Sequence, residues 1–188
     1  MKKTYIALVF LLFSVSICMG EPAESVEMIC NRDYTPALFN AISGAKDSIH
    51  IIMYSGGYYP DHPEGINRRV YRALVAAKDR GVDIKVILDA SDWNPNNTGK
   101  NEKLEGYLEA NGIKVWWDPP DITSHCKFIV VDVHTVIVGS TNWTYYALVH
   151  NNEANVLIKS KPLAVEFESY FRDVLGVSTD KLDIEYKE

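Results

Sequence analysis

The sequence offers little that would hold a metal or build a disulfide framework. It has three cysteines in 188 residues. Cys18 falls in an N-terminal apolar run, and Cys30 and Cys126 lack any CxxC spacing, so neither a zinc ribbon nor a redox dithiol is indicated. A zinc site from Cys30, Cys126 and His134 would need three distant segments to converge and is not expected, although the two thiols could pair in an oxidising compartment. No cluster offers the paired carboxylates of a metal-dependent nuclease, and no repeat, low-complexity run or long linker divides the chain. Positive charge is also scarce. Nineteen Lys and Arg stand against 25 Asp and Glu, a formal net charge of −6. That counts against a protein that coats nucleic acid, whose binders present a basic face, without excluding a small local patch.

Long hydrophobic runs are limited to the start. Lys2 and Lys3 precede an apolar stretch from Tyr5 to Ile17, followed by Cys18-Met19-Gly20. About 13 apolar residues fall short of the roughly 20 needed to span a bilayer. Residues 1–20 therefore read as a signal peptide cleaved before Glu21, which implies export to a periplasmic or secreted location. The alternative is an uncleaved membrane anchor; lipid attachment at Cys18 is disfavoured by the bulky Ile17 before it. Losing Lys2 and Lys3 takes the net charge from −6 to −8. Residues 21–188 are then expected to form a single domain, long enough to bury one good core.

Thr35-Pro36 predicts a helix opening, a capping hydroxyl followed by proline at the first helical position. Leu38, Phe39, Ile42 and Ala45 follow at helical spacing. The apolar run from Ser48 to Tyr54 reads as a strand and Ser55 to Pro60 as the loop at its end. Ile66, Val70, Leu74 and Ala77 form the buried stripe of a second helix, which Gly81 ends; Arg68, Arg69, Arg72, Lys78 and Arg80 lie on its other face. A strand from Val82 to Leu88 brings Asp89 to its tip. An Asn-rich loop is expected from Asp92 to Asn101, then a short helix over 102–110 and a strand from Ile113 to Trp117. Two strands flank a turn near 133 and a sixth runs from about Glu153 to Lys159. A closing helix from Pro162 to Leu175 would turn Leu163, Phe167, Tyr170, Phe171 and Val174 inward. Strands alternating with helices of this length imply an α/β fold, a central mixed β-sheet flanked by helices on both faces.

The chemistry concentrates in His125-Cys126-Lys127-Phe128-Ile129-Val130-Val131-Asp132 and Gly139-Ser140-Thr141-Asn142-Trp143. Polar groups set into a strand-forming run cost free energy unless each has a partner. Side chains alternate along a strand, so His125 and Lys127 share one face while Cys126 and Asp132 take the other. Cys126 then reads as a small buried apolar residue and Asp132 as a structural group at the strand end. If Val133-His134 is a two-residue hairpin turn, Lys127 faces Ser140 and His125 faces Asn142, in cross-strand pairs within about 5.5 Å. A register odd by one would scatter them. Lysine and asparagine supply donors for phosphoryl oxygens, histidine a nucleophile or acid near neutral pH, and Glu153 a carboxylate able to orient an imidazole.

The spacing His125-x-Lys127-x4-Asp132, then Gly139-Ser140-x-Asn142, resembles the HKD signature of the phospholipase D superfamily. Glu153 falls where single-motif members of that family place their orienting glutamate. The lead-in through Arg80-Gly81-Val82, Asp89 and Asn111-Gly112-Ile113 extends the resemblance over roughly residues 35–175. The resemblance implies a phosphodiesterase with no cofactor and no obligatory metal. In it His125 would attack phosphorus to form a phosphohistidine, Lys127 and Asn142 would bind the phosphate, and Ser140 and Glu153 would orient the histidine. The family pattern needs two such motifs and this chain has one. A homodimer with a composite active site is therefore expected, each subunit giving one His125.

The family divides between nucleases and phospholipases that share this motif. Small size, a single motif, an exported start and a dimer favour a nuclease-like enzyme acting on nucleic acid, which we place first. Aromatic loops favour the alternative, a phospholipase D that hydrolyses or transfers phosphatidyl groups. A non-catalytic binding module on the same fold would not need all five of His125, Lys127, Ser140, Asn142 and Glu153. Weaker substrate-binding candidates are Tyr58, Trp143, Arg68 and Arg72; the arginines are ordinarily a solvated helix face. His50, inside an apolar strand, reads as a satisfied core histidine.

Overall fold

Ser48–Met53, an apolar run broken only by His50, forms β2 near the middle of a seven-stranded sheet. The structure, a computed structural model, describes residues 20–184. The signal-peptide reading of residues 1–20 falls almost entirely outside them. No helix among the described residues is long and apolar enough to cross a membrane.

The strands are β1 (Ser25–Met28), β2, β3 (Asp83–Leu88), β4 (Lys114–Trp117), β5 (Lys127–Val131), β6 (Thr135–Gly139) and β7 (Asn155–Lys159). They lie in the order β1-β7-β6-β5-β2-β3-β4. β2, β3 and β4 are parallel, while β5, β6, β7 and β1 pair antiparallel, so the sheet is mixed as expected. The helices are α1 (Tyr34–Gly44), α2 (Ile66–Asp79), α3 (Pro95–Ala110), α4 (Tyr145–Val149) and α5 (Lys161–Val177).

Strand alternation sorts the core onto two faces. Ile49, Ile51, Met53, Ile129, Val131 and Ile137 pack on one side with Leu38, Ile42, Val70, Leu74, Leu104 and Leu108 of α1, α2 and α3. Ile52, Ile87, Phe128, Val130 and Val136 pack on the other against Ala164 and Phe171 of α5. Each fully buried aliphatic or aromatic side chain is worth about 1.5–3 kcal/mol. On the α5 side, His50 stacks on Phe171 with ring centroids 4.7 Å apart and its Nδ1 sits 2.8 Å from both Glu168 carboxylate oxygens.

Several expectations are corrected. α1 begins one residue earlier than Thr35, whose side chain caps nothing. The Asn-rich segment is helix: Pro95 opens α3 and Asn94 caps it, accepting from the Asn97 N–H at 3.2 Å. Buried Asn97 and Asn101 donate to the Tyr54 carbonyl at 2.8 and 2.9 Å, so polar residues that usually favour loops are recruited to satisfy one. Tyr170 of α5 lies exposed rather than inward, although its ring borders Phe128. β1 is an added edge strand, three of its four residues exposed.

The hairpin register is also corrected. Asp132, Val133 and His134 all lie in the turn, so Val131 pairs with Thr135 and Phe128 with Val138, one residue off the expected register. Lys127 and Ser140, and His125 and Asn142, are therefore not cross-strand partners. The cause lies outside the hairpin. The Asp132 carboxylate accepts from the backbone N–H groups of Lys46, Asp47 and Ser48 at 2.8–3.2 Å, and its own N–H donates to the Ser48 carbonyl at 2.9 Å. These bonds hold Asp132 and Val133 at φ of 53° and 48°, the left-handed region that a β-branched residue such as Val133 rarely adopts. Burial alone would raise the Asp132 pKa, but the three N–H donors outweigh it and hold it below the usual carboxylate range.

Candidate active site

The C-terminal ends of β2, β3 and β6 and the N-terminal ends of β5 and β7 open on one rim of the sheet. The motif residues gather there by a route the regular register does not provide. β6 stops at Gly139, opposite Asn155. A Cβ on Gly139 would press into Asn155 Oδ1 and the Ala154 carbonyl and lie 2.6 Å from Asn155 Cα, so only glycine allows this approach. The chain then leaves the ladder. The Ser140 N–H still donates to Ala154 O at 3.1 Å, but the Trp143 N–H donates to Ser55 O, beyond β2, at 2.9 Å. Residues 140–143 thus cross from β7 to β2 over the start of β5, carrying Asn142 across the end of the strand that begins with Lys127.

His125, just before β5, is exposed and its ring lies 4.6 Å from the Tyr54 ring. Lys127 is buried; its Nζ donates to the His125 carbonyl at 2.7 Å and lies 5.0 Å from the Tyr54 ring centroid. Burial lowers the lysine's pKa, with Cys126, Glu153 and Asp89 pulling the other way. Ser140 Oγ donates to Glu153 Oε2 in a short hydrogen bond and accepts from the Ala154 N–H at 3.0 Å, while Asn151 Nδ2 donates to Glu153 Oε1 at 3.1 Å. Asn142 Oδ1 is buried without a hydrogen-bond partner among the described residues. The amide therefore has one unused end, oxygen or, after a half-turn of the group, nitrogen. The rim thus combines an exposed imidazole, a buried ammonium, a fixed carboxylate and an open amide.

Sequence reasoning missed the residues that hold this arrangement. Asp89 at the end of β3 and Asp118 after β4 both accept from the Ser124 N–H, at 3.1 and 2.9 Å, directly before His125. Burial raises both carboxyls, Asp118 up to about 6, against the hydrogen bonds they receive. Asn31, at φ 52°, accepts from the Glu153 N–H at 2.8 Å and donates its own N–H to the Glu153 carbonyl at 3.0 Å. Arg32 donates to the Asn151 carbonyl. The signal for Asp89 was its position at a strand tip; nothing local marked Asp118 or Asn31.

The weaker candidates separate. Trp143 is core rather than substrate-facing: it is 1% exposed and its Nε1 donates to Tyr34 Oη at 2.9 Å. Tyr58 is half-buried and stacks on Tyr107, centroids 4.7 Å apart. Arg72 is exposed and pairs with Glu64 at 3.4 Å. Arg68 lines a cavity. Cys126 packs beneath the sheet with its Sγ 3.6 Å from Tyr170 Oη, and both Cys30 and Cys126 are free thiols. Among the described residues no group of three or more His, Cys, Asp or Glu could hold a metal ion.

The order of this sheet and the residues on its rim define a phospholipase D-like phosphodiesterase fold. Residues 38–175 match the family described as cardiolipin synthase, PLD-like domain, and the chain belongs to the phospholipase D superfamily. The crystal structure of Nuc from Salmonella typhimurium, a phospholipase D family member, superposes with a TM-score of 0.71 at 31% identity, covering 85% of this chain and 99% of that one. Among curated proteins, a phospholipase D of Rickettsia conorii is 29% identical over 162 residues, 86% of this chain and 68% of its own length. A probable phospholipase D of Caenorhabditis elegans is 30% identical over 150 residues, of whose length this chain spans only 26%.

Proposed function

We propose that the chain is a metal-independent phosphodiesterase that cleaves nucleic acid through a phosphohistidine on His125. The observation that carries this reading is the exposed His125 imidazole above the buried Lys127 ammonium, which donates to that histidine's own carbonyl at 2.7 Å. An ammonium held there supplies the positive charge that a phosphoryl group needs as negative charge builds on its oxygens. The His125 ring nitrogen forms a bond to phosphorus as the P–O bond to the leaving group breaks. The leaving oxygen takes a proton from His125 of a second copy of the chain. Water then attacks phosphorus, the P–N bond breaks, and the proton lost by water returns to that second histidine. Lys127 and Asn142 hold the phosphate oxygens; Ser140 and Glu153 orient the imidazole.

A single copy of the motif supports a homodimer with its site across the interface, because the reaction needs a second histidine at the phosphate and the chain carries one motif. His50 lies on the α5 face and His134, in the hairpin turn, pairs with Glu24 at 2.9 Å. Export after loss of residues 1–20 belongs to the same reading. Nucleic acid is placed first because the chain matches nearly the whole length of Nuc and carries tyrosines and an arginine beside the motif. A phospholipid substrate is the second reading, favoured by the relatives named phospholipase D.

The test is to offer single-stranded DNA, RNA and phosphatidylcholine vesicles to the protein in EDTA, with His125→Asn alongside. Cleavage of the polynucleotides by the wild type and not by the variant is expected. Cleavage of vesicles alone would replace the nucleic-acid reading with the lipid one. Loss of all activity in EDTA would end the metal-free mechanism.

A further inference from the structure

Beside the motif lies a cavity, about 650 Å³ in volume, that the chemistry at His125 leaves unused. The loop after β2 and the first turn of α2 give it Tyr59, His62, Asn67 and Arg68, and the start of α4 gives it Tyr145 and Tyr146. It is tied directly to the motif. The Trp143 carbonyl accepts from Asn67 Nδ2 at 2.6 Å and from the Gly57 N–H at 2.8 Å. Asn142 comes immediately before that residue and Tyr145 two residues after it. Three residues of chain reach at most about 10 Å, so cavity and motif are neighbours on one rim.

The lining combines exposed rings with a guanidinium. Tyr145 is 43% and Tyr146 68% exposed, and their rings meet edge to face at 5.6 Å. The Arg68 guanidinium lies over the rings of Tyr58 and Tyr107, at 5.1 and 5.2 Å, which fixes its place at the wall of the cavity. A ligand that fits must offer a flat face to the tyrosines and an acceptor to Arg68. An acyl chain would set apolar surface against Asp61, His62, Glu64 and Arg68. A nucleobase has the π-face and the acceptor edge together. The carboxylates of Asp61 and Glu64, also in the lining, repel phosphates, which keeps the backbone on the motif side while the base enters.

We propose that this cavity is a base-binding subsite, which takes the nucleobase next to the phosphodiester held at His125, stacks it on Tyr145 and Tyr146, and hydrogen-bonds its edge through Arg68. The proposal rests on the nucleic-acid reading of the site. It makes recognition depend on bases as well as on the backbone.

The experiment compares two labelled single strands of equal length, oligo(dA) and a fully abasic backbone. Both are bound by the full chain carrying His125→Asn, which prevents cleavage, and followed by fluorescence anisotropy. The base-bearing strand should bind about 10-fold tighter, from stacking alone. Adding Tyr146→Ala should reduce that preference to about 2-fold, whereas Tyr146→Phe, which keeps the ring, should retain it. Tyr146 is exposed, so neither change threatens the fold. A preference that survives Tyr146→Ala undiminished overturns the subsite. Failure of both strands to bind, with the wild type hydrolysing phosphatidylcholine vesicles, overturns the nucleic-acid reading and the subsite with it.

Discussion

Asp89 and Asp118 accept the same proton, the backbone N–H of Ser124, at 3.1 and 2.9 Å, one residue before His125. Asp118 also accepts from the Ala90 N–H at 2.7 Å, which ties the ends of β3 and β4 to the entry of β5. Burial, reinforced by the charge of Asp89, lifts the Asp118 carboxyl from 3.8 to about 6. The sign of its pH effect follows. A group whose pKa is raised on folding contributes stability that is fully present below about 3.8 and lost as pH rises through about 6. Urea unfolding midpoints should therefore fall, relative to those of Asp118→Asn, between these pH values and run parallel above them. A constant difference across the range would contradict this. The variant should also lose about 10-fold in turnover at pH 7, because the peptide leading into His125 is less firmly placed.

The periodic elements were legible because their causes are local. β2, β3 and α2 follow from apolar spacing, and the fixed spacing of His125, Lys127, Asp132, Ser140 and Asn142 identified the family. Two of the misreadings share one physical origin, polar side chains satisfied by distant backbone. Asn97 and Asn101 form helix because the carbonyl of Tyr54 needs donors more than 40 residues away in the chain. Asp132 shifts the hairpin register because three N–H groups from residues 46–48 claim its carboxylate. β1, mostly exposed, has no apolar pattern to betray it; its pairing with β7 shows only in the fold. The Asn142 position likewise depends on the chain crossing to Ser55, which alternation within a strand could not show.

Gly139 is the point at which that crossing starts. Gly139→Ala must push β6 away from Asn155 and Ala154, since the Ala154 carbonyl and Asn155 Cα stand in the way and would remain there even if the Asn155 side chain swung aside. A stability loss of about 1–3 kcal/mol is expected from such overpacking. Turnover should fall further than the unfolded fraction explains, because Ser140 and its bond to Glu153 move with it. Thermal unfolding and an aryl phosphodiester assay on the folded fraction separate the two effects. Full activity in folded Gly139→Ala would show that the position of Ser140 tolerates the shift.

The opposite face should behave differently. Glu168→Leu removes the partner of His50, whose ring is sandwiched between the sheet and Phe171. A buried imidazole left without its acceptor costs about 1–3 kcal/mol. Chemical denaturation should show that loss while KM and kcat of the folded protein stay within about 2-fold, since the change touches no motif residue. A large fall in kcat would mean that the two faces of the sheet are coupled through β2.

The proposed composite site can be tested directly. If each active site needs His125 from both copies, a dimer with one His125→Asn subunit has no working site. Co-expressing equal amounts of wild type and His125→Asn, with random assortment, leaves about one quarter of the dimers fully wild type, and activity per total protein should fall to about that fraction of the pure wild type. Independent sites would leave about one half. Separately tagged chains, purified through both tags in succession, isolate the mixed dimer. That species should be inactive on an aryl phosphodiester, and turnover by it at half the wild-type rate would end the composite-site reading.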